Sequence, residues 1–202
     1  MEGGLMATIL FRSLQDYRAA QIATNARKLH SVFACETELQ AIASDLLAHV
    51  HPINGICHGA RNGWEVETLR NLLGCSVHGT DIAPTAGQHG LIQMDFHTLP
   101  DGWEGYFDFV YSNSLDHAHD PATAVGNWVR SLRVGGRLYL SHCRNSERAQ
   151  NLADCYGATL AEYETLVRGC CQHVKTVWLG DQVNPDGGVV KSLAVIVGER
   201  GT

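Results

Sequence analysis

INGICHGARNG, residues 53–63, decides how the rest of the chain is read. Ile53, Ile56 and Cys57 supply an apolar strand, and Gly59 and Gly63 open a tight turn where the backbone can approach a ligand with no side chain in the way. Residues 64–73 follow as a helix. Val66, Leu69, Leu72 and Leu73 recur at about one-turn spacing, and Gly74 stands where a helix stops. The amides at such a helix start have no partner inside the helix, and the helix dipole turns its positive end toward the turn. An anionic group is therefore favoured there. Strand, glycine turn and helix in this order predict a small ligand carrying a carboxylate or a phosphate.

Composition bounds the rest. A chain of 202 residues, 45% hydrophobic and 18% charged, suits one globular domain with a sizeable core. Fifteen basic against 21 acidic residues give a formal charge of −6, and only three of the basic residues are lysine, so a groove tracking long nucleic acid is not expected. Seven cysteines, an odd number with no C-x-x-C pair, read as free thiols in a reducing compartment and point to the cytoplasm. The apolar run at residues 5–11 is too short for a signal peptide and lacks a positive leader. No apolar segment approaches the length of a membrane span.

Along the chain, residues 13–51 hold two helices, the second with Leu39, Ile42, Ala43, Leu46 and Val50 on one face and Pro52 ending it. Residues 1–52 are thus expected to form a helical cap packed on a core of residues 53–202. After Gly74 a second strand ends at Asp81, 18 positions beyond Gly63. An acid about 20 positions after a glycine turn, at the tip of the second strand of a doubly wound sheet, accepts from ribose hydroxyls. The plainer alternative is a loop-capping aspartate before Pro84. LIQMDF gives a third strand ending at Asp95 and Phe96, and residues 107–112 give a fourth. That strand runs into a polar loop with Asn113, Asp116, His117, His119 and Asp120. Asp120-Pro121 reads as a helix start. Val125, Trp128, Val129 and Leu132 bury the helix face, and Gly135-Gly136 leads into a strand at residues 137–141. Residues 146–167 read as helical. Two strand-like runs, residues 174–180 and 189–198, are joined by DQVNPDGG, a short turn that requires an antiparallel pair.

GICHGARNG, GTDIAP, IQMDFHTLP, FDFVYSNSLDHAHDP and LRVGGRLYLSH, in this order over residues 53–142, resemble the class I S-adenosylmethionine-dependent methyltransferases, in particular the methyltransferase type 11 domain. The resemblance implies an α/β fold: a Rossmann-like three-layer sandwich whose mostly parallel seven-stranded sheet has an antiparallel strand near the C-terminus. It implies S-adenosyl-L-methionine as cofactor and S-adenosyl-L-homocysteine as product, with the methyl group passing to an O or N acceptor on a small molecule or biosynthetic intermediate. Carried over residue by residue, Gly59, Ala60, Arg61, Asn62 and Gly63 would surround the methionine portion and Asp81 would bind the ribose, with Ile82 beside the adenine. Asp95 would accept from the adenine amino group, the Phe96 amide would meet the ring, and Ser112 and Asn113 would lie near the sulfonium. Two positions depart from the pattern. Cys57 replaces an acid that often holds the cofactor's ammonium group, and Arg61 replaces the middle glycine of the turn. Glu65 or Glu67 could stand in for the acid, or both could face solvent on the first helical turn. Arg61 could pair with the cofactor carboxylate or be an ordinary surface arginine.

Methyl transfer from a sulfonium is an in-line displacement, for which a base is optional. His117 is the best-placed candidate base, with Asp116 as orienter or alternative base and His119 third; the alternative is that these side chains only shape a polar loop. His117, His119, His142 and Cys143, like Cys170, Cys171 and His173, lack zinc-type spacing, so no metal is expected. Two further readings stay open: a non-catalytic cofactor-binding module, and a nicotinamide-dependent dehydrogenase, which shares the glycine turn and the ribose acid.

Overall fold

The computed structural model describes residues 7–149 and 151–202, so Leu5 and Met6 of the N-terminal apolar run lie outside the described residues. In chain order come β1 (Ala7–Thr8), α1 (Leu14–Arg27), α2 (Glu36–His49), β2 (Asn54–His58), α3 (Trp64–Leu73), β3 (Ser76–Asp81) and β4 (Ile92–Gln93). There follow β5 (Phe107–Ser112), α4 (Pro121–Ser131), β6 (Leu132–His142), β7 (Tyr156–Gly157), α5 (Leu160–Arg168), β8 (Gln172–Val183) and β9 (Val189–Glu199). Seven strands form one sheet in the order β4-β3-β2-β5-β6-β9-β8, and β1 pairs with β7 apart from it. β2 to β6 run parallel, while β9 lies antiparallel to both of its neighbours.

Parallel strands covered on both faces need apolar side chains along their whole length, and every residue of β5 (FDFVYS) is buried. Phe109 and Tyr111 pack with Leu39, Ile42 and Leu46 of α2 and with Leu69 of α3. Val110 packs on the other side with Val125, Trp128 and Val129 of α4 and Tyr163 of α5. Two apolar layers on one sheet make the three-layer sandwich. Asp108 is the exception within β5: its buried carboxylate accepts from the amides of Ile53 (2.8 Å) and Asn54 (2.9 Å) and pairs with Arg133. It thereby fixes where β2 begins.

Two expectations are corrected. Ile53 is not part of the buried strand: it is 76% exposed, and β2 starts at Asn54. Residues 146–167 are not one helix. Asn151 Oδ1 accepts from the amides of Ala153 (2.8 Å) and Asp154 (3.2 Å), a side-chain turn that competes with helical bonding. Among the described residues of this stretch the α-helix is Leu160–Arg168, started by a capping box between Thr159 and Glu162, and a 3-10 turn ends at Glu147.

α1 differs from α2 in what it buries. α2 turns Leu39, Ile42, Ala43 and Leu46 inward, whereas the buried residues of α1 are Tyr17, Gln21, Thr24 and Asn25. Among the described residues, no helix is long and apolar enough to cross a membrane.

Gly55, the second residue of β2, lies against the fully buried ring of Phe109; a Cβ there would sit 2.1 Å from the ring carbons. Gly55→Ala should therefore destabilise the fold by about 1–3 kcal/mol, read as a lowered denaturant midpoint with unchanged slope.

Candidate functional site

The carboxyl ends of β2, β3 and β5 meet at one edge of the sheet. After His58 the backbone enters the left-handed region at Gly59 (φ 74°), Arg61 (φ 41°) and Gly63 (φ 78°) before α3 begins. Gly59 is obligatory for a second reason: a Cβ there would lie 2.7 Å from Ser114 Oγ, on the loop after β5. Ala60 N–H donates to Thr80 O (2.9 Å), which ties the turn to β3. Asn62 donates through its side-chain amide to Leu29 O (3.0 Å) and so holds the segment between α1 and α2 over the turn.

Asp81, at the tip of β3, is buried and accepts from three sides. Its Oδ2 takes Arg61 N–H (2.9 Å); its Oδ1 takes Ala83 N–H (2.8 Å) and the Asn25 side-chain amide from α1 (2.9 Å). Around it Tyr17, Gln21, Asn25, Ile82 and Phe96 line a narrow cleft of about 50 Å³. Asp95, one residue before Phe96, is not among the residues lining the cleft; it is bonded to His97 Nδ1 (2.7 Å) and N–H (3.1 Å), with Arg18 of α1 at 3.5 Å. Burial would raise this carboxyl, but the His97 bonds and the Arg18 charge outweigh it and hold the group below its usual range. The polar face of α1 went unread in the sequence, although Tyr17, Gln21, Thr24 and Asn25 recur at helical spacing where an apolar stripe is the usual pattern.

Gly59, Arg61, Ser114 and His117 also line a larger cavity of about 260 Å³, walled further by Asn62, by Phe33 and Glu38, by Asn113 and Asp116, and by Ser141, His142, Cys143, Asn145 and Ser146. Asn113 lines it. Ser112 lines neither space: fully buried, it donates to His58 O (3.0 Å) and accepts from Ser114 N–H (3.1 Å). Ser114, whose hydroxyl donates to Gly59 O (3.2 Å), lines both cleft and cavity.

His117 lines both spaces as well. Its Nδ1 lies 2.8 Å from Ala153 O, so Nδ1 carries a hydrogen; in the neutral ring that tautomer leaves the lone pair on Nε2. Asp116 Oδ1 is 3.9 Å from Nε2 and Asp154 Oδ1 is 3.6 Å from Nδ1. Burial raises the Asp116 carboxyl; His117 opposes the shift and Asp154 adds to it. His119 lies outside the cavity, stacked on His97 with ring centroids 3.9 Å apart and packed edge-on to Tyr17.

The two candidate glutamates separate. Glu67 points outward to Arg70 (2.6 Å), while Glu65 is only 7% exposed and lines the larger cavity. Cys57 is fully buried, and burial followed by the Glu65 charge keeps its thiol protonated.

Residues 56–140 match the family model described as a methyltransferase domain. The solved structure of a Burkholderia thailandensis 1,6-didemethyltoxoflavin-N1-methyltransferase, with 1,6-didemethyltoxoflavin and S-adenosylhomocysteine bound, superposes with a TM-score of 0.70 at 19% identity, covering 98% of this chain and 95% of that one. The N-methyltransferase NodS from Bradyrhizobium japonicum, in complex with S-adenosyl-L-homocysteine, gives 0.68 at 18% identity, over 91% and 100%.

The chain has the class I methyltransferase fold. No curated protein matches it. Because 885 chains of known structure match, the methyltransferase fold by itself does not choose a substrate, and the side chains must.

In this methyltransferase fold the first acid after β2 in the chain is Glu65, and it costs stability. Burial is the main cause that pushes its carboxyl up to about 7; its own amide and Arg61 only moderate the rise. An acid with a folded pKa above its unfolded value binds more protons when folded, so stability is lost as pH rises from about 4.5 to about 7. Glu65→Gln removes that loss. Thermal unfolding should show the variant more stable than the parent at pH 8, with the gap closing toward pH 5.

Proposed function

We propose that this chain is an S-adenosylmethionine-dependent methyltransferase acting on an oxygen or nitrogen of a small molecule. The observation that carries the reading is the Asp81 carboxylate, fixed by the Arg61 and Ala83 amides at the junction of a glycine turn, a narrow cleft and a larger polar cavity. A carboxylate so placed suits a ribose diol. It would repel a phosphate on the same sugar, and the Asn25 side chain that also bonds it belongs to a polar helix face that can yield to hydroxyls.

In this reading Gly59, Ala60, Arg61, Asn62 and Gly63 receive the amino-acid portion, with Asp81 on the ribose and Ile82, Asp95 and Phe96 around the adenine. Asn113 borders the reacting centre, and Ser112 supports it from below through His58 O and the Ser114 amide. The cofactor, when bound, supplies a methyl group activated by its sulfonium. The chain supplies alignment, which in well-oriented reactions is worth roughly 7–11 kcal/mol. His117 Nε2, its partner nitrogen anchored on Ala153 O, takes the proton from the acceptor, and Asp116 beside it favours the resulting imidazolium. Residues 1–52 act as the cap over the core of residues 53–202. Seven free cysteines fit a reducing, cytoplasmic setting.

Calorimetry with S-adenosylhomocysteine tests the binding half: uptake by the parent and loss of it in Asp81→Ala are expected, and no uptake by folded parent protein sinks the proposal. For the chemical half, His117→Ala should keep its affinity for S-adenosylhomocysteine. Its formation of methylated products from a small-molecule extract, followed by mass spectrometry, should fall by about 10²–10⁴-fold.

A further inference from the structure

Two histidines line the larger cavity, and both are anchored by one stretch of chain, residues 153–158. His117 meets Ala153 O through Nδ1 (2.8 Å); His142, the last residue of β6, meets Ala158 O through Nε2 (3.0 Å). A carbonyl only accepts, so each neutral ring spends its hydrogen there and keeps the opposite nitrogen as a bare acceptor. Burial lowers the pKa of His142, which keeps its ring neutral, and its other contact is edge-on packing against Tyr163. His142 is 3% exposed, and among the described residues nothing donates to its Nδ1.

Asp116 adds a third acceptor. Its carboxylate lies 3.9 Å from His117 Nε2, its charge reaches His142, and its one bonded partner among the described residues is its own amide. Asp154, on the Nδ1 side of His117, is committed through Oδ2 to the Asn151 side-chain amide (2.9 Å). The charged groups lining the cavity are Glu38, Glu65, Asp116 and Asp154 against Lys28 and Arg61. Those two cations act on Asp116 only at longer range: they lie over the Phe33 ring, 5.4 Å and 4.7 Å from its centroid, and neither pairs with Asp116 directly.

Acceptors shut away from water with no donor carry a cost that a ligand's hydrogens remove. A hydroxyl brings one hydrogen to three acceptors. An ammonium group brings two or three, with a charge that suits a carboxylate.

We propose that His142 Nδ1, His117 Nε2 and the Asp116 carboxylate form the acceptor subsite, and that the acceptor is an amine entering as its ammonium ion. The assignment rests on the methyltransferase reading above and narrows its oxygen or nitrogen to nitrogen. One N–H proton passes to His117 Nε2 and leaves its electron pair on nitrogen, which forms the N–C bond as the C–S bond of the sulfonium breaks toward sulfur. His142 and Asp116 hold the nitrogen by the hydrogen or hydrogens that remain.

The test supplies methyl-labelled S-adenosylmethionine and a small-molecule extract, half of it treated with N-hydroxysuccinimide acetate, which caps primary and secondary amines and spares alcohols. The parent protein should form labelled product from the untreated half and lose it in the capped half. Label that persists after capping overturns the amine assignment. His142→Gln keeps an N–H for Ala158 O and removes the Nδ1 acceptor. By calorimetry it should take up S-adenosylhomocysteine as the parent does, and at limiting extract it should form about 10-fold less labelled product or lower, the scale of a lost hydrogen bond to a charged group. Unchanged labelling by the variant, or a matching loss of S-adenosylhomocysteine affinity, overturns the role of His142; the capping arm needs only the parent and stands whether or not the variant folds. No label from untreated extract, by protein that takes up S-adenosylhomocysteine, overturns the amine subsite and leaves the cofactor site standing. No uptake of S-adenosylhomocysteine overturns the methyltransferase reading and this assignment with it.

Discussion

The site depends on one carboxylate with more donors than a loop aspartate needs. Asp81 holds the turn through the Arg61 amide, the start of the next loop through the Ala83 amide, and the cap through the Asn25 side chain. Three segments far apart in sequence are thereby fixed to one residue at the tip of a buried strand. The strand itself is rigid: β3 pairs with β2 over five registered residues, and both continue into the core beneath. Local precision at the cleft thus derives from the sheet, which is why the ligand-facing groups lie on strand ends and the first turn of a helix.

Polar groups around the cavity divide into those that complete the scaffold and those that do not. His58 is buried, bonded to Thr80 Oγ1 at 2.9 Å and stacked on Trp128; desolvation brings its pKa down to about 3, so it is a neutral packing element. Glu38 is also raised, to about 7, mainly by burial, but it accepts from Tyr111 Oη and the Cys35 amide and contacts Ser141, so it braces α2 against β5 and β6. Glu65 resembles Glu38 in burial and differs in partners. That contrast separates a structural acid from one available to a ligand better than burial alone.

Much of this was legible in the chain. Residues 107–112 announced a fourth strand, which is β5, and Asp120-Pro121 announced a helix start, borne out by the bond from Thr123 N–H to Asp120 Oδ1 at 3.0 Å. The short link DQVNPDGG announced the antiparallel pair β8 and β9. What stayed hidden depends on tertiary direction. Helical periodicity gave α3 an apolar stripe, yet the fold buries Glu65 beside Val66 and Leu69 and leaves Leu72 38% exposed, because α3 is rolled by its packing on β3 and α2. Ser112 and Ser114 are alike in sequence and both hydroxyls bond backbone carbonyls, His58 O and Gly59 O; only the turn of the backbone after β5 leaves Ser114 lining the cavity and Ser112 sealed beneath it. The segment at residues 146–167 misled because its composition tolerates a helix that Asn151 and Asp154 interrupt through side-chain bonds.

The underside of α1 sets what holds it. Gln21 is seated on a carbonyl and Asn25 on a carboxylate, bonds that water can replace, while Tyr17 is buried among Phe11, His97 and His119. α2 instead buries Leu39, Ile42 and Leu46. The two helices therefore differ in their mortar: α2 is held chiefly by aliphatic packing, and α1 by one aromatic ring and a latch on the same oxygen that a sugar would claim.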